Sequence, residues 1–291
     1  MSLFEWKNFL SRPATQDYAK ASPVQARARG VPVPVREAAG SCADCGVCER
    51  VCPSRAVKVE GSRALSFDYG ACLQCGLCVQ VCPEQRLEDS GLTHAFAFER
   101  DTLKVKFDGC DFEPREERVP DNVERFRRMT GGRGLNYREV AAGNNTVECE
   151  LNASFNNVFD SESLGIRSVA SPKHADVVLF SGPVGPNMVG PLRTAWDVMP
   201  EPKALVACGT EAVSGGLFPM GERPKTPDLF IAGDPPRPDT VLNALRYLMG
   251  RRKYSFQHAL RNRVSELHQP PVQAASKELP PEAPRKLAAA S

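Results

Sequence analysis

The sequence predicts two folded units in series: a small α+β domain organised by a repeated cysteine motif, then an α/β domain with a mostly parallel sheet. Three observations carry that prediction. CADCGVCERVCP at 42–53 returns as CLQCGLCVQVCP at 72–83. Between Leu135 and Gly250, short apolar runs alternate with turns and helical patterns, the rhythm of βαβ units. The 291-residue length is about twice the rough 150-residue prior for one domain.

Residues 1–40 open on a short amphipathic stretch (Leu3, Phe4, Trp6, Phe9, Leu10) and continue as an extended segment containing RGVPVP. The stretch reads as a packed helix end, or as a surface resting on a membrane or a partner subunit. Residues 41–110 hold the cysteine motifs. Between them, Ala56–Glu60 and Ala64–Asp68 flank Gly61-Ser62 and read as a small hairpin. Residues 111–134, charged and ending in TGGRG, read as a linker. In 135–250, strands are expected near Tyr137–Ala141, Ile166–Val169, Val177–Phe180, Lys203–Ala207 and Leu229–Ala232. Helices are expected near Glu148–Phe159, near Leu192–Met199, and after a capping Asp239, with Gly250 as the stop. Residues 251–291 begin basic, as a solvated or partner-facing helix, and end in a Pro/Ala-rich stretch too poor in apolar residues for a core.

Composition narrows the function. Hydrophobic residues at 42% and charged residues at 25% suit a globular chain that buries a core. The net charge of +2, from 37 basic and 35 acidic residues, gives no polyelectrolyte affinity for nucleic acid. Apolar runs such as Val177–Phe180 fall far short of the roughly 20 residues of a membrane helix. MSLFEWKNFL carries charges within its apolar pattern and no small-residue cleavage site, so it does not read as a secretory signal. Eleven cysteines, eight of them in two tight clusters, then read as metal ligands in a reducing cytosol.

The repeated spacing C-x2-C-x2-C-x3-C-P is that of two-cluster ferredoxins, in which the fourth cysteine of each run ligates the other cluster. One [4Fe–4S] cluster is therefore assigned to Cys42, Cys45, Cys48 and Cys82, and a second to Cys72, Cys75, Cys78 and Cys52. Gly46 and Gly76 leave room for close backbone approach, and Pro53 and Pro83 turn the chain away. Two structural zinc sites would instead need C-x2-C pairs set apart by a longer spacer.

With these motifs, RGVPVP and SFDYGACLQCGLCVQVCP, residues 1 to about 110 resemble the polyferredoxin subunit of formate hydrogenlyase-type complexes. YREVAAG at 137–143, GIRSVASPKHADVVLFSGPV at 165–184, MPEPK at 199–203, SGGLF at 214–218 and PPRP at 235–238 resemble the small subunit of energy-converting (group 4) [NiFe] hydrogenases. That subunit is homologous to the proximal-cluster subunit of complex I, and the likeness implies a flavodoxin-like sheet. The chain thus looks like a fusion of two subunits. The resembled subunits hold a proximal [4Fe–4S] cluster with four cysteines. Here Asn144, Val147, Glu211 and Asp234 stand at those positions, while Asn145, Glu148, Glu150, Gly209, Pro235 and Pro236 keep the register. Neither valine nor asparagine replaces a soft anionic thiolate.

The resemblance implies a redox subunit with two [4Fe–4S] clusters, not catalytic alone, and a C-terminal docking domain that has lost its cluster. Implied partners are a hydrogenase-large-subunit-like protein, of the kind that complex I also contains, and integral membrane subunits, with attachment to the cytoplasmic face of the inner membrane. The alternative is an active group 4 hydrogenase or quinone-reducing small subunit with a non-standard third cluster, for instance on Cys149, Cys208, Glu211 and Asp234. The blander expectation makes Cys110, Cys149 and Cys208 small buried hydrophobes. Glu211 and Asp234 either share a hard cation or each pair with an arginine or face water. None of His94, His174, His258 and His268 has a metal-ligand spacing, and His174 is expected to be structural. TGGRG and SGG lack the ending of a phosphate-binding loop, and no G-x-G-x-x-G follows a strand.

Overall fold

Pro32–Pro34 (β1), within RGVPVP, is the first strand of a computed structural model that describes residues 22–36, 40–143 and 147–268. The readings of the N-terminal amphipathic stretch, of Asn144 and of the Pro/Ala-rich end fall outside the described residues. The first cysteine run forms two short helices, α1 (Cys42–Cys45) and α2 (Val47–Val51). The hairpin follows as β2 (Val57–Val59) and β3 (Ala64–Asp68), with Val57 opposite Phe67 and Val59 opposite Leu65. After α3 (Leu77–Gln80) in the second run, β4 (Leu87–Asp89) returns to pair antiparallel with β1. Both prolines of β1 sit in a sheet of only two strands, where their missing N–H groups leave few ladder bonds unmade.

Two further strands lie before residue 110. β5 (Ala95–Ala97) leaves the cysteine-bearing unit altogether, and β6 (Lys104–Asp108) adds to β3 with Leu65 opposite Phe107. In β6 the charged Lys104, Lys106 and Asp108 face solvent while Val105 and Phe107 are buried, the period-two pattern of a one-sided sheet.

The stretch read as a linker contains a helix, α4 (Asp121–Arg133). Val123, Phe126 and Thr130 form its buried stripe, spaced as one helix face but masked in the sequence by the charges between them. Arg251 donates from Nε to the Gly131 carbonyl at 2.9 Å, satisfying part of the helix end. Gly134 follows at φ +97, and a Cβ there would lie 2.6 Å from the Gly165 carbonyl oxygen, so only glycine lets the chain turn into the sheet.

The remaining elements alternate: β7 (Leu135–Ala141), α5 (Val147–Ala153), β8 (Ile166–Ser168), β9 (Val177–Ser181), α6 (Val189–Asp197), β10 (Ala204–Cys208), α7 (Thr210–Ser214), β11 (Leu229–Ala232) and α8 (Pro238–Leu248). Each predicted strand is present within one or two residues of its expected bounds. Helix α8 starts at Pro238 rather than being capped by Asp239, which is buried in the first turn and accepts from Arg237 Nε at 3.0 Å. Gly250, at φ +75, ends it. Spatial order is β5-β11-β10-β9-β7-β8, with β7 to β11 parallel and β5 antiparallel at the edge. Without β5 this is the doubly wound order second, first, third, fourth, fifth, which reverses direction between β7 and β9.

Both faces of the sheet are covered, so β9 and β10 are buried throughout. Tyr137, Leu179, Val206 and Ile231 pack with Val241 and Leu245 of α8 and Phe126 of α4. On the other face Val178, Phe180, Leu205 and Ala207 share a core with Leu65, Phe67 and Phe107 of the cysteine-bearing unit. A final helix, α9 (Phe256–His268), closes this core. Its basic sequence reads as a solvated or partner-facing helix, yet one face is internal: Phe256, Leu260 and Val264 are buried, and Phe256 meets Tyr69 edge-on at 5.5 Å. Arg263 Nε donates to the Ser90 carbonyl at 2.6 Å.

Phe256→Ala should therefore destabilise the whole chain by about 3 kcal/mol. Anaerobic urea unfolding followed by far-ultraviolet circular dichroism and by visible absorbance should still give coincident transitions, because one apolar core joins the two units.

Candidate iron–sulfur sites and the adjoining crevice

The two cysteine runs build two neighbouring cavities. Cys42, Cys45, Cys48 and Cys82 line one. Cys52, Cys72, Cys75 and Cys78 line the other. Each cavity thus takes three thiols from one run and the fourth from its counterpart. Electrostatic neighbours group the same way. Burial, then Cys42, Cys82 and Cys45, pushes the Cys48 thiol up to about 11. Burial lifts Cys72 to about 12 against the lowering effect of a bond from the Gln74 amide, with Cys78, Cys52 and Cys75 adding to the rise. Cys78, also at about 12, feels Cys48 of the other cavity, so the two stand side by side.

The local backbone explains this convergence. Gly46 at φ +54 separates α1 from α2, and Gly76 at φ +77 precedes α3. The left-handed turn at each glycine swings the third cysteine back beside the first two. Past each fourth cysteine, a backbone amide points at its sulfur: Ala56 N–H to Cys52 Sγ at 3.1 Å, and Arg86 N–H to Cys82 Sγ at 3.3 Å. Four soft donors per cavity, with an amide aimed at the fourth sulfur of each run, fit a thiolate-bound [4Fe–4S] cluster in each cavity. Arg86 itself went unnoticed in the sequence. Its side chain is 1% exposed, and Nη1 donates to Cys42 Sγ at 2.7 Å. The signal was present in the repeat, since the matching position of the first copy is Ala56.

The second site region lies at the carboxyl ends of the parallel strands. Val147, at the start of α5, is buried, and its Cγ2 is 2.7 Å from where a Cβ on Gly209 would stand. Gly233 presses against Pro236, whose Cα would lie 2.7 Å from a Gly233 Cβ. The three segments that carry Val147, Glu211 and Asp234 are thus packed together, while Asn144 lies outside the described residues. Around them gather carboxylates. Glu148 Oε1 accepts from Ser181 Oγ at 3.0 Å. Burial, then Glu148, raises Glu139 to about 7. Burial, then Asp234 and Glu148, raises Glu211 to about 6, and burial raises Asp234. Glu139 Oε1 and Glu211 Oε2 are buried with no hydrogen-bond partner among the described residues.

Thr210 joins this crevice to the second cysteine cavity. Its hydroxyl donates to the Cys72 carbonyl at 3.0 Å and accepts from the Gly233 amide at 3.3 Å. Glu139 and Thr210 escaped the sequence reading because neither belongs to a spaced motif.

Other candidates separate. Cys208 is buried, with its thiol pushed up by burial, then by Glu139 and Glu148. Cys149, expected to be buried, is exposed, since it falls on the solvent side of α5 opposite buried Val147 and Leu151. Cys110 is buried. Asp234 stands at the crevice rim, exposed to water along the chain's surface while the crevice wall crowds its carboxyl enough to raise it. Among the described residues, no three His, Cys, Asp or Glu side chains converge on a single metal-ion position. His94 is buried between Thr93 and Asn243, and burial holds it near 4, as a neutral imidazole. His174 is exposed in a 3-10 turn, where its carbonyl accepts from Asn136 Nδ2 at 3.2 Å. His258 Nε2 and Glu116 Oε1 are 2.8 Å apart at the surface, and His268 ends α9. No helix among the described residues is long and apolar enough to cross a membrane.

Residues 41–85 match the family model of the 4Fe-4S dicluster domain, and residues 144–248 match that of the NADH ubiquinone oxidoreductase 20 Kd subunit. Formate hydrogenlyase subunit 7 of Escherichia coli is 36% identical over 39% of this chain and 48% of its own length. The probable membrane-bound hydrogenase subunit mbhJ of Pyrococcus furiosus is 30% identical over 35% of this chain and 65% of its own length. An NADH-quinone oxidoreductase subunit of Geotalea uraniireducens is 36% identical over the same two shares, 35% and 65%. The chain therefore spans about half to two thirds of these relatives' lengths. Its first half is thus similar to a 4Fe-4S dicluster domain, and its second half is related to the 20 Kd subunit of NADH ubiquinone oxidoreductase and to subunits of formate hydrogenlyase and a membrane-bound hydrogenase.

Proposed function

We propose that the chain is an iron–sulfur electron-transfer subunit of a membrane-bound complex related to energy-converting hydrogenase and complex I, with two [4Fe–4S] clusters and a C-terminal docking domain without a proximal cluster. The observation that carries this reading is the pair of adjacent four-cysteine cavities, which exchange their fourth thiols. When bound, the clusters supply one-electron transfer and no substrate chemistry of their own. Cys42, Cys45, Cys48 and Cys82 hold one, and Cys72, Cys75, Cys78 and Cys52 hold the other, with the amides of Ala56 and Arg86 orienting the fourth sulfurs. Thr210 anchors the second cavity's loop to the parallel sheet.

On the register inferred from the resemblance, the buried Val147 would stand at a thiolate position of the resembled subunits, and Glu211 and Asp234 would offer hard oxygens that suit a cubane poorly. Next in the chain to Gly216, which packs against Glu211, Leu217 and Phe218 are 57% and 47% exposed, apolar side chains suited to a covering protein. A large-subunit-like partner would lie over this face, with integral membrane subunits holding the assembly on the cytoplasmic side of the inner membrane. The names of the relatives, from formate hydrogenlyase and membrane-bound hydrogenase to NADH-quinone oxidoreductase, support that setting.

After anaerobic reconstitution, iron and acid-labile sulfide should each come to about eight per chain, from two cubanes. Cys42→Ser and Cys72→Ser should each disturb one cluster by electron paramagnetic resonance and leave the other. A reproducible content near twelve would reject the docking-domain reading and restore a third cluster. The crevice gives a pH test. The Glu139 carboxyl sits at about 7 in the fold against 4.5 in the open chain, so its stabilising neutral form is fully present below pH 4.5 and lost as pH rises through 7. Glu139→Gln should stabilise the chain by roughly 1 kcal/mol at pH 8, after discounting for water at the crevice mouth. That gain should vanish near pH 4.5 in anaerobic urea titrations. An equal gain at both pH values would assign it to packing instead.

A further inference from the structure

The internal repeat makes the two cysteine cavities near copies, and Arg86 is the buried charge by which the copies differ. Ala56 and Arg86 occupy the same position after the fourth cysteine, and each sends its amide to that sulfur. Beyond the backbone they differ by a full positive charge. The guanidinium of Arg86 is anchored by Nη2, which donates at 2.6 Å to the carbonyls of both Arg63 and Gly109. That grip aims Nη1 at Cys42 Sγ, 2.7 Å away. Arg86 lines the cavity of Cys42, Cys45, Cys48 and Cys82, and Ala56 lines the other.

We propose that Arg86 holds the cluster of Cys42, Cys45, Cys48 and Cys82 at a higher reduction potential than its neighbour, breaking the equivalence that the repeat would otherwise impose. The inference rests on the two-cluster reading above. Reduction adds one electron to a cluster, breaks no bond, and places extra negative charge on its sulfurs. A donor that is both cationic and hydrogen-bonded to a ligand sulfur stabilises that state. Location decides which charges count. Arg86 is fully buried, where a charge acts through a low dielectric. The second cavity has a nearby cation in Arg29, but that residue is exposed and donates at 2.6 Å to the Cys75 carbonyl, not to a sulfur. The added contact on Cys72 Sγ is a neutral amide, from Gln74 at 3.4 Å. The acidic groups near the first cavity, Asp44, Glu49 and Glu84, are exposed and screened by water.

The test is an anaerobic redox titration of the full chain, with dithionite as reductant and electron paramagnetic resonance as readout, on wild type, R86Q and R86K. Wild type should show two resolved one-electron steps. In R86Q, with iron still near eight, the upper step should fall toward the lower by at least a tenfold change in equilibrium, about 59 mV for one electron. R86K should retain most of the separation. Because Arg86 also ties two carbonyls together, R86Q could lose a cluster. Wild type grown with 15N-guanidino arginine then decides, since the first cluster reduced should show magnetic coupling to that nitrogen. Coincident steps in wild type, unchanged steps in R86Q, or a first-reduced cluster without nitrogen coupling would each overturn the role of Arg86. An iron content far from eight would instead overturn the two-cluster reading beneath it.

Discussion

Val178, Phe180, Leu205 and Ala207, on one face of the parallel sheet, lie in the same apolar core as Leu65, Phe67 and Phe107 of the cysteine-bearing unit. A doubly wound sheet needs both faces covered. Here helices α4, α5 and α8 cover one, while the other borrows much of its cover from the neighbouring domain. Strand β5 extends the same union into hydrogen bonds, pairing Phe96 with Ile231 at the sheet edge. Helix α9 then closes over the join through Phe256 and Leu260. The positions of the cavities relative to the crevice follow from this burial, with Thr210 marking where they meet.

What was legible in the sequence was local. Eight cysteines at fixed spacing, a hairpin around Gly61-Ser62, and strands made of unbroken β-branched and aliphatic runs announce themselves without distant partners. What stayed hidden depended on distant chain. Helix α4 resembles a charged linker because its three buried residues are diluted by arginines and glutamates. Helix α9 looks basic because its arginines reach partners such as the Ser90 carbonyl, far off in sequence. Arg86 appears as a surface charge until the Arg63 and Gly109 carbonyls are seen around it. Within the crevice, Glu211 and Asp234 were visible through their place in a family pattern, whereas Glu139 enters only through the strand order that sets β7 beside β9.

The crevice has a physical character of its own. Parallel strands deliver their carboxyl ends to one place, and four acidic side chains, Glu139, Glu148, Glu211 and Asp234, collect there. Burial first, and then mutual repulsion, keeps Glu139 and Glu211 readier to hold a proton than an ordinary glutamate. Such a surface would meet the proposed covering protein with less charge to strip of water than four ionised carboxylates would demand.

The continuous sheet edge and the common core also bear on how the cysteine-bearing unit can work. A carrier on a flexible tether collects charge at one station and swings to deliver it at another. Here the would-be swinging arm is stitched into its own pedestal by β5, so its metal-binding loops hold a constant separation from the crevice. On the proposed reading, donors and acceptors would come to this chain at fixed berths, and the rate of each hop would be set by how closely they moor.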